Sequence, residues 1–158
     1  MIIQSNKITL RSFMLDDVED FYEMVHNDSS VEKYVPYAYV RNISEAIENI
    51  EVYEKGDCIN DFYLVIEIDS IMVGAILAIR TFPTTLDLSL IISKRYRGQG
   101  IMSDSLKIFM QWLKENTNYK TLVFAVKNDN ASSIKLIEKF NVTLTRKDND
   151  SRTYILHV

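Results

Sequence analysis

The sequence predicts a single α/β (α+β) domain spanning residues 1–158. Two features point to the fold class: consecutive strand-like runs between Phe62 and Ile92, and a strand–helix–strand–helix alternation from Leu86 to Phe140. A third sets the scale, because 158 residues with a hydrophobic fraction of 47% suit one packed core.

The elements follow from periodicity. Ile8-Thr9-Leu10-Arg11-Ser12 alternates apolar and polar residues, as a first strand does. Asp16 with Glu19 gives a cap-like start to a helix in which Val18, Phe21, Tyr22 and Val25 share one face and the acidic residues turn to solvent. From Asn27 to Lys55 the pattern predicts helix, loop, helix, with a second helix start at Ser44, Glu45 and Glu48. Phe62 to Ile68 and Met72 to Thr81 are rich in β-branched and aromatic residues and meet at Asp69-Ser70, which predicts a hairpin. Leu86 to Ile92 is the next strand. A helix is expected from near Gly98 to about Lys114, burying Ile101, Leu106, Phe109, Met110 and Leu113. Thr121 to Val126 is a strand, Ala131 to Phe140 a helix that turns Ile134 and Ile137 inward, and short strands follow at Thr143 to Arg146 and Thr153 to Leu156.

Composition narrows the function. A net charge of −4 argues against a phosphate-backbone binder, so nucleic acid is not the expected partner. No apolar run reaches membrane-spanning length and the N-terminus lacks a signal-peptide pattern, so a soluble cytoplasmic protein with no membrane partner is expected. Cys58 is the only cysteine, which excludes an internal disulfide and favours a plain structural thiol over a nucleophile. With only His26 and His157 besides, no zinc or other metal site is expected.

The most informative segment is Leu88-Ser89-Leu90-Ile91-Ile92, then Ser93-Lys94-Arg95-Tyr96-Arg97-Gly98-Gln99-Gly100, then a helix. Unpaired N–H groups at a helix start attract an anion, and glycines let it approach without a Cβ in the way. Arg95 and Arg97 add positive charge. Ser103 stands where the dinucleotide fingerprint needs its third glycine, and the Gly-Lys-Ser/Thr ending of a nucleoside-triphosphate loop is absent.

What remains resembles the acyl-CoA pyrophosphate loop of the GNAT superfamily, whose pattern is Arg/Gln, two residues, Gly, any residue, then Gly or Ala; Arg95, Gly98 and Gly100 fit it. A second block, Asn130-Ala131-Ser132-Ser133 leading to Glu138-Lys139-Phe140-Asn141, is similar to that of the RimJ/RimL and spermidine acetyltransferase branch. The resemblance implies a mixed, mostly antiparallel central sheet flanked by helices and splayed at the strands before and after the CoA-loop helix. It implies acetyl-CoA as co-substrate, an amine acceptor and no metal, and it leaves a homodimer open. The cofactor-binding residues it implies are Leu90, Ile91, Ile92, Arg95, Arg97, Gly98, Gln99, Gly100, Ile101, Met102, Asn130 and Ser133. The chain departs from the family at Lys94-Arg95, where Pro-Glu is usual, and at Asn141-Val142, where Gly-Phe is usual. Asn still suits the left-handed cap of a helix. Ile137 replaces a tyrosine common in the wider superfamily, so the usual phenolic acid is missing.

The chemistry then needs a base more than an acid. A free amine holds its proton to a pKa of about 10 and a departing thiolate to about 8.5, so at neutral pH the amine costs about 4 kcal/mol to deprotonate. Asp87 is the candidate base, because this branch often has a Glu at the start of that strand; a water chain competes with it, and the residue equally suits a solvent-facing position. Ser133 resembles the serine near the CoA sulfur and is the candidate donor to the thiolate, yet a first-turn serine also caps helices. Asn130 would contact the pantetheine arm, cap the helix, or do both. A splay beside Leu90 and Ile91 would expose a backbone N–H to the thioester oxygen. The acidic first helix reads as a solvated face rather than a polyamine guide, and Tyr34, Tyr37 and Tyr39 as half-buried core in the region where acceptors bind in the family. Competing functions are a catalytically silent acyl-CoA-binding or interaction domain and a transferase using a longer acyl-CoA.

Overall fold

The computed structural model describes residues 1–5, 7–56 and 61–158; Cys58 lies outside the described residues. Eight strands form among the described residues: β1 (Ile2–Ser5), β2 (Ile8–Ser12), β3 (Phe62–Ile68), β4 (Ile71–Phe82), β5 (Thr85–Ile92), β6 (Thr121–Lys127), β7 (Thr143–Lys147) and β8 (Ser151–His157). They make one sheet in the order β1-β2-β3-β4-β5-β6-β8-β7. Helices α1 (Val18–Val25), α2 (Ser29–Tyr34), α3 (Ile43–Lys55), α4 (Ile101–Asn116) and α5 (Ala131–Ile137) flank it. None is long and apolar enough to cross a membrane.

Both faces of the sheet centre are covered, which explains the apolar run in β4. Val73, Ile76 and Ala78 belong with α4, against Leu106, Phe109 and Leu113, whereas Ala75 and Leu77 belong with α1 and α3, against Phe21, Val25 and Ile50. The expected hairpin forms: Asp69 and Ser70 both have positive φ (50° and 62°), the geometry of a two-residue turn that follows the strand twist.

Several boundaries differ from the sequence reading. β1 was not expected; only Ile3 of its four residues is even half-buried, so it carries no alternation signal. The α1 start belongs to Asp17 rather than Asp16. Asp17 is buried, accepts the Met14 amide (2.8 Å) and pairs twice with the Arg11 guanidinium (2.9 and 2.7 Å), an exception to the solvent-facing acidic face. The α3 cap is Asn42, which accepts the Glu45 amide at 2.9 Å. α4 begins at Ile101 instead of near Gly98, and α5 ends at Ile137, three residues before Phe140.

The position that matters for function is where the sheet opens. β5 and β6 are parallel, and their register runs only from Thr85↔Thr121 to Asp87↔Val123. β5 nevertheless stays paired to β4 as far as Gly74↔Ile92. A Cβ at Gly74 would sit 2.5 Å from the Ile91 carbonyl oxygen, so the close approach of β4 that holds this end of β5 requires glycine. Past Asp87 the two strands diverge and leave a cleft.

Candidate active site

Beyond Asp87, β5 has an edge with no strand beside it. The Ser93 N–H donates to the Val73 carbonyl (2.9 Å). Strand alternation therefore turns the Ile91 peptide groups toward β4 and those of Leu90 and Ile92 toward the cleft. The Ile92 carbonyl accepts from Arg97 Nε at 3.1 Å, whereas the Leu90 N–H is directed into the opening. The side chains divide between the same residues. Leu90 and Ile92 line the cleft half-buried, and Ile91 is buried against the α1 and α3 side.

The cleft holds two neighbouring cavities. One, of about 150 Å³, lies between Ser89 and Leu90 of β5 and Phe124 and Val126 of β6, with Val31 and Tyr34 of α2 over it. The other, of about 320 Å³, lies between the glycine loop and α5, against Tyr96, Gly98, Gly100, Ser132 and Lys135. Leu90, Ile92, Arg97, Ser132 and Ser133 border both. Together they extend from the start of α4 to the middle of β5.

The loop has the form an anion needs. Gly98 and Gly100 have φ of +74° and +79°, and a Cβ at either would meet nothing within 4 Å. Backbone sign and a bare face, not crowding, therefore call for glycine there. Gly100 is the N-cap of α4 and its carbonyl takes the Asp104 N–H (3.0 Å), which leaves the amides of Ile101, Met102 and Ser103 without intrahelical partners. The side chains of Ile101 and Met102 are buried and anchor the helix start. Gln99 steadies the loop by donating to the Arg95 carbonyl (3.0 Å).

The charges are distributed unevenly. Arg95, Lys135 and Lys139 make no ion pair among the described residues, and Lys135 and Lys139 border the loop cavity. Arg97 borders both cavities but is already engaged, its guanidinium bonded to Asp28, to Ser30 Oγ (3.1 Å) and to Ile92. Asp28 is 2% exposed. Burial pushes its carboxyl up, but the Ser30 hydroxyl and amide and Arg97 together hold it below the usual carboxylate range.

Asn130 is the cap of α5, its Oδ1 accepting the Ser133 N–H at 3.3 Å. Capping is thus done by Asn130, and the half-buried Ser133 is left bordering both cavities. Asp87 borders neither cavity. It lies on the same β5 face as Ser89, about 7 Å away at strand spacing, and accepts from Thr81 Oγ1 at 3.3 Å. Asp87 is exposed, and partial desolvation raises its pKa against the lowering effect of Thr81. The Tyr37 phenol lies near Ser89 and Asp87; partial desolvation raises its pKa, Ser89 opposes the shift and Asp87 adds to it. Ile137, in place of the family tyrosine, is buried at the cleft floor.

Sequence reasoning did not find Asp28, Ser89, Lys135 or Lys139. The two lysines were within reach, because Ser132, Lys135, Leu136 and Lys139 lie at i, i+3, i+4 and i+7, one stripe of a helix. Asp28 gave no signal, since its partner Arg97 is 69 residues away.

The fold recurs in solved structures. A GNAT-family acetyltransferase from Bacillus anthracis superposes with a TM-score of 0.87 at 17% identity, covering 99% of this chain and 98% of that one. The ribosomal L7/L12 alpha-N-protein acetyltransferase RimL, in complex with coenzyme A, gives 0.87 at 19% identity, covering 100% and 98%. The microcin C7 self-immunity acetyltransferase MccE, in complex with acetyl-CoA and AMP, gives 0.85 at 19% identity, covering 98% and 94%. No curated relative matches the chain in sequence. The acetyltransferase (GNAT) domain family matches residues 7–143, and with that match over most of its length the chain belongs to the GNAT family of acetyl-CoA-dependent N-acyltransferases.

Proposed function

We propose that the protein acetylates a primary amine, such as a peptide N-terminus, a polyamine or another small amine, by direct attack of the amine on acetyl-CoA. The observation that carries this reading is the end of β5–β6 pairing at Asp87↔Val123, which opens a cleft whose cavities extend from the free amides at the start of α4 to β5 beside Leu90. The open space at Gly98 and Gly100 fits a pyrophosphate. Arg95, Lys135 and Lys139 would face the phosphates, the α4 amides would bind the pyrophosphate, and Asn130 would meet the pantetheine arm. Acetyl-CoA supplies an activated acyl group whose thioester carbon is the point of attack.

The remaining steps belong to the chain. The Leu90 N–H is directed where the thioester oxygen gains charge. Ser133 borders the region where the sulfur departs and can donate to it. Deprotonating the amine is the larger problem, and Asp87, outside the cavity lining, would receive the proton through ordered water beside Ser89 and Tyr37. A raised pKa suits Asp87 to that task provided it remains ionised at neutral pH.

Thiol release from acetyl-CoA, followed over a panel of peptides, polyamines and small amines, tests the reading. Release that depends on one class of amine is expected. Binding of CoA without release for any amine would make the chain an acyl-CoA-binding domain, and faster release from longer acyl-CoAs would change the donor.

A further inference from the structure

α2 spans the cleft and is held on both banks. On the β5 side, Asp28 accepts the Ser30 amide (3.0 Å), the Ser30 hydroxyl (2.6 Å) and the Arg97 guanidinium. Lys94 Nζ donates to the Asn27 carbonyl (3.2 Å). On the β6 side, Lys33 pairs with Asp129 at 2.5 Å and Tyr34 donates to the Asp129 carbonyl at 3.4 Å. Each bank leads straight into a ligand-binding segment: Arg97 precedes Gly98, and Asp129 precedes the α5 cap Asn130.

The two attachments are unequal. Lys33 and Asp129 are 50% and 57% exposed in their side chains, a pairing that water and salt weaken. Asp28 is buried, and a helix cap needs only the Ser30 amide. The additional bond to Arg97 therefore does something a cap does not require. It neutralises the cation next to the glycine loop and fixes α2 to the open edge of β5 through the Arg97–Ile92 bond.

We propose that Asp28 is a positioning residue for the transfer reaction: by holding Arg97 it fastens α2 over the cleft as an ordered wall for the amine and keeps the Arg97 charge off the CoA phosphates. This rests on the function proposed above. It makes Arg97 a fastener of α2 and assigns the phosphates to the α4 amides with Arg95, Lys135 and Lys139.

The test is Asp28→Asn, because Asn caps a helix as well as Asp does and Arg97, at 38% side-chain exposure, is not stranded by the change. Removing one negative charge beside an anion site should lower the Kd for CoA by about two- to tenfold at low ionic strength, with the difference shrinking in salt. The amine KM should rise by about tenfold as the wall loosens. Opposite signs for the two substrates are the signature; a change that weakened both, or neither, would overturn the proposal. Hydrogen exchange needs no turnover: amides 29–35 should exchange about tenfold faster in Asp28→Asn, and parental rates there would refute the fastening whatever the acceptor is. Arg97→Gln cuts the same link from its exposed end. It should weaken CoA binding by about two- to tenfold at low ionic strength, with the difference shrinking in salt, and raise the amine KM, whereas a loss of CoA affinity that persisted at high salt would make Arg97 a phosphate ligand. Failure of the parent to bind CoA would count against the proposed function instead.

Discussion

Asp87 and Ser133 are assigned to the two proton problems of thioester aminolysis, and their surroundings predict unequal effects. Asp87 faces the larger problem, with a pKa raised by partial desolvation and a position one strand step beyond the cavity wall. Asp87→Asn should lower kcat by about 10- to 100-fold at pH 7 and by much less near pH 10, where free amine is abundant. Because partial desolvation raises this pKa, the acid limb of the parent pH–rate profile should lie above that of an ordinary carboxylate; a profile unchanged in shape and height would remove Asp87 from the reaction. Ser133 assists a leaving group that needs little help. Ser133→Ala should cost about tenfold or less in turnover, and because Asn130 does the capping, stability should move by less than about 0.5 kcal/mol. A loss of several hundredfold without destabilisation would mean that Ser133 positions the acyl group. At this scale the legible residues were those whose role is local in sequence. Gly98 and Gly100 are informative because a left-handed turn before a helix is a short-range demand. Asp28 depends on a partner brought in by tertiary structure, Arg97, and Ser89 on a neighbour, Tyr37, and no spacing rule reaches either.

Elements were legible wherever a period was long enough to repeat. α4, with Leu106, Phe109 and Leu113 fully buried, and the β3–β4 hairpin with its Asp69-Ser70 turn, follow directly from the pattern. β1 and the ends of α4 and α5 do not, because an exposed edge strand and a helix terminus are set by pairing and capping rather than by burial. The start of α4 is also where an element-level prediction is sharpest. In Gly100→Val a β-branched side chain would occupy φ of +79° and project into the space a phosphate needs. The strain should cost about 1–3 kcal/mol, a melting shift of about 2–10 °C, while CoA affinity measured by calorimetry falls more than tenfold. Parental CoA affinity in the folded variant would mean that the cradle lies elsewhere.

For the molecule as a whole, covering both faces of β4 and β5 with helices lets the sheet open at one seam without losing its core. Packing against α4 on one side and α1 and α3 on the other holds β5 to β4 through Ile92, and β6 is held by β8 along its whole length, from Thr121↔His157 to Lys127↔Ser151. The seam between them is free to diverge. The sequence carries the family blocks on both sides of this seam, Arg95 to Gly100 and Asn130 to Ser133, but not the register that ends at Asp87↔Val123, because where a parallel pair stops is decided by backbone pairing across 36 residues. The most direct test of this account is a crystal structure with CoA bound. The pyrophosphate should lie within hydrogen-bonding distance of the amides at the start of α4, with the pantetheine arm between Leu90 and Asn130 and the sulfur near Ser133. CoA bound outside the β5–β6 cleft, or with its pyrophosphate remote from Gly98 and Gly100, would contradict it.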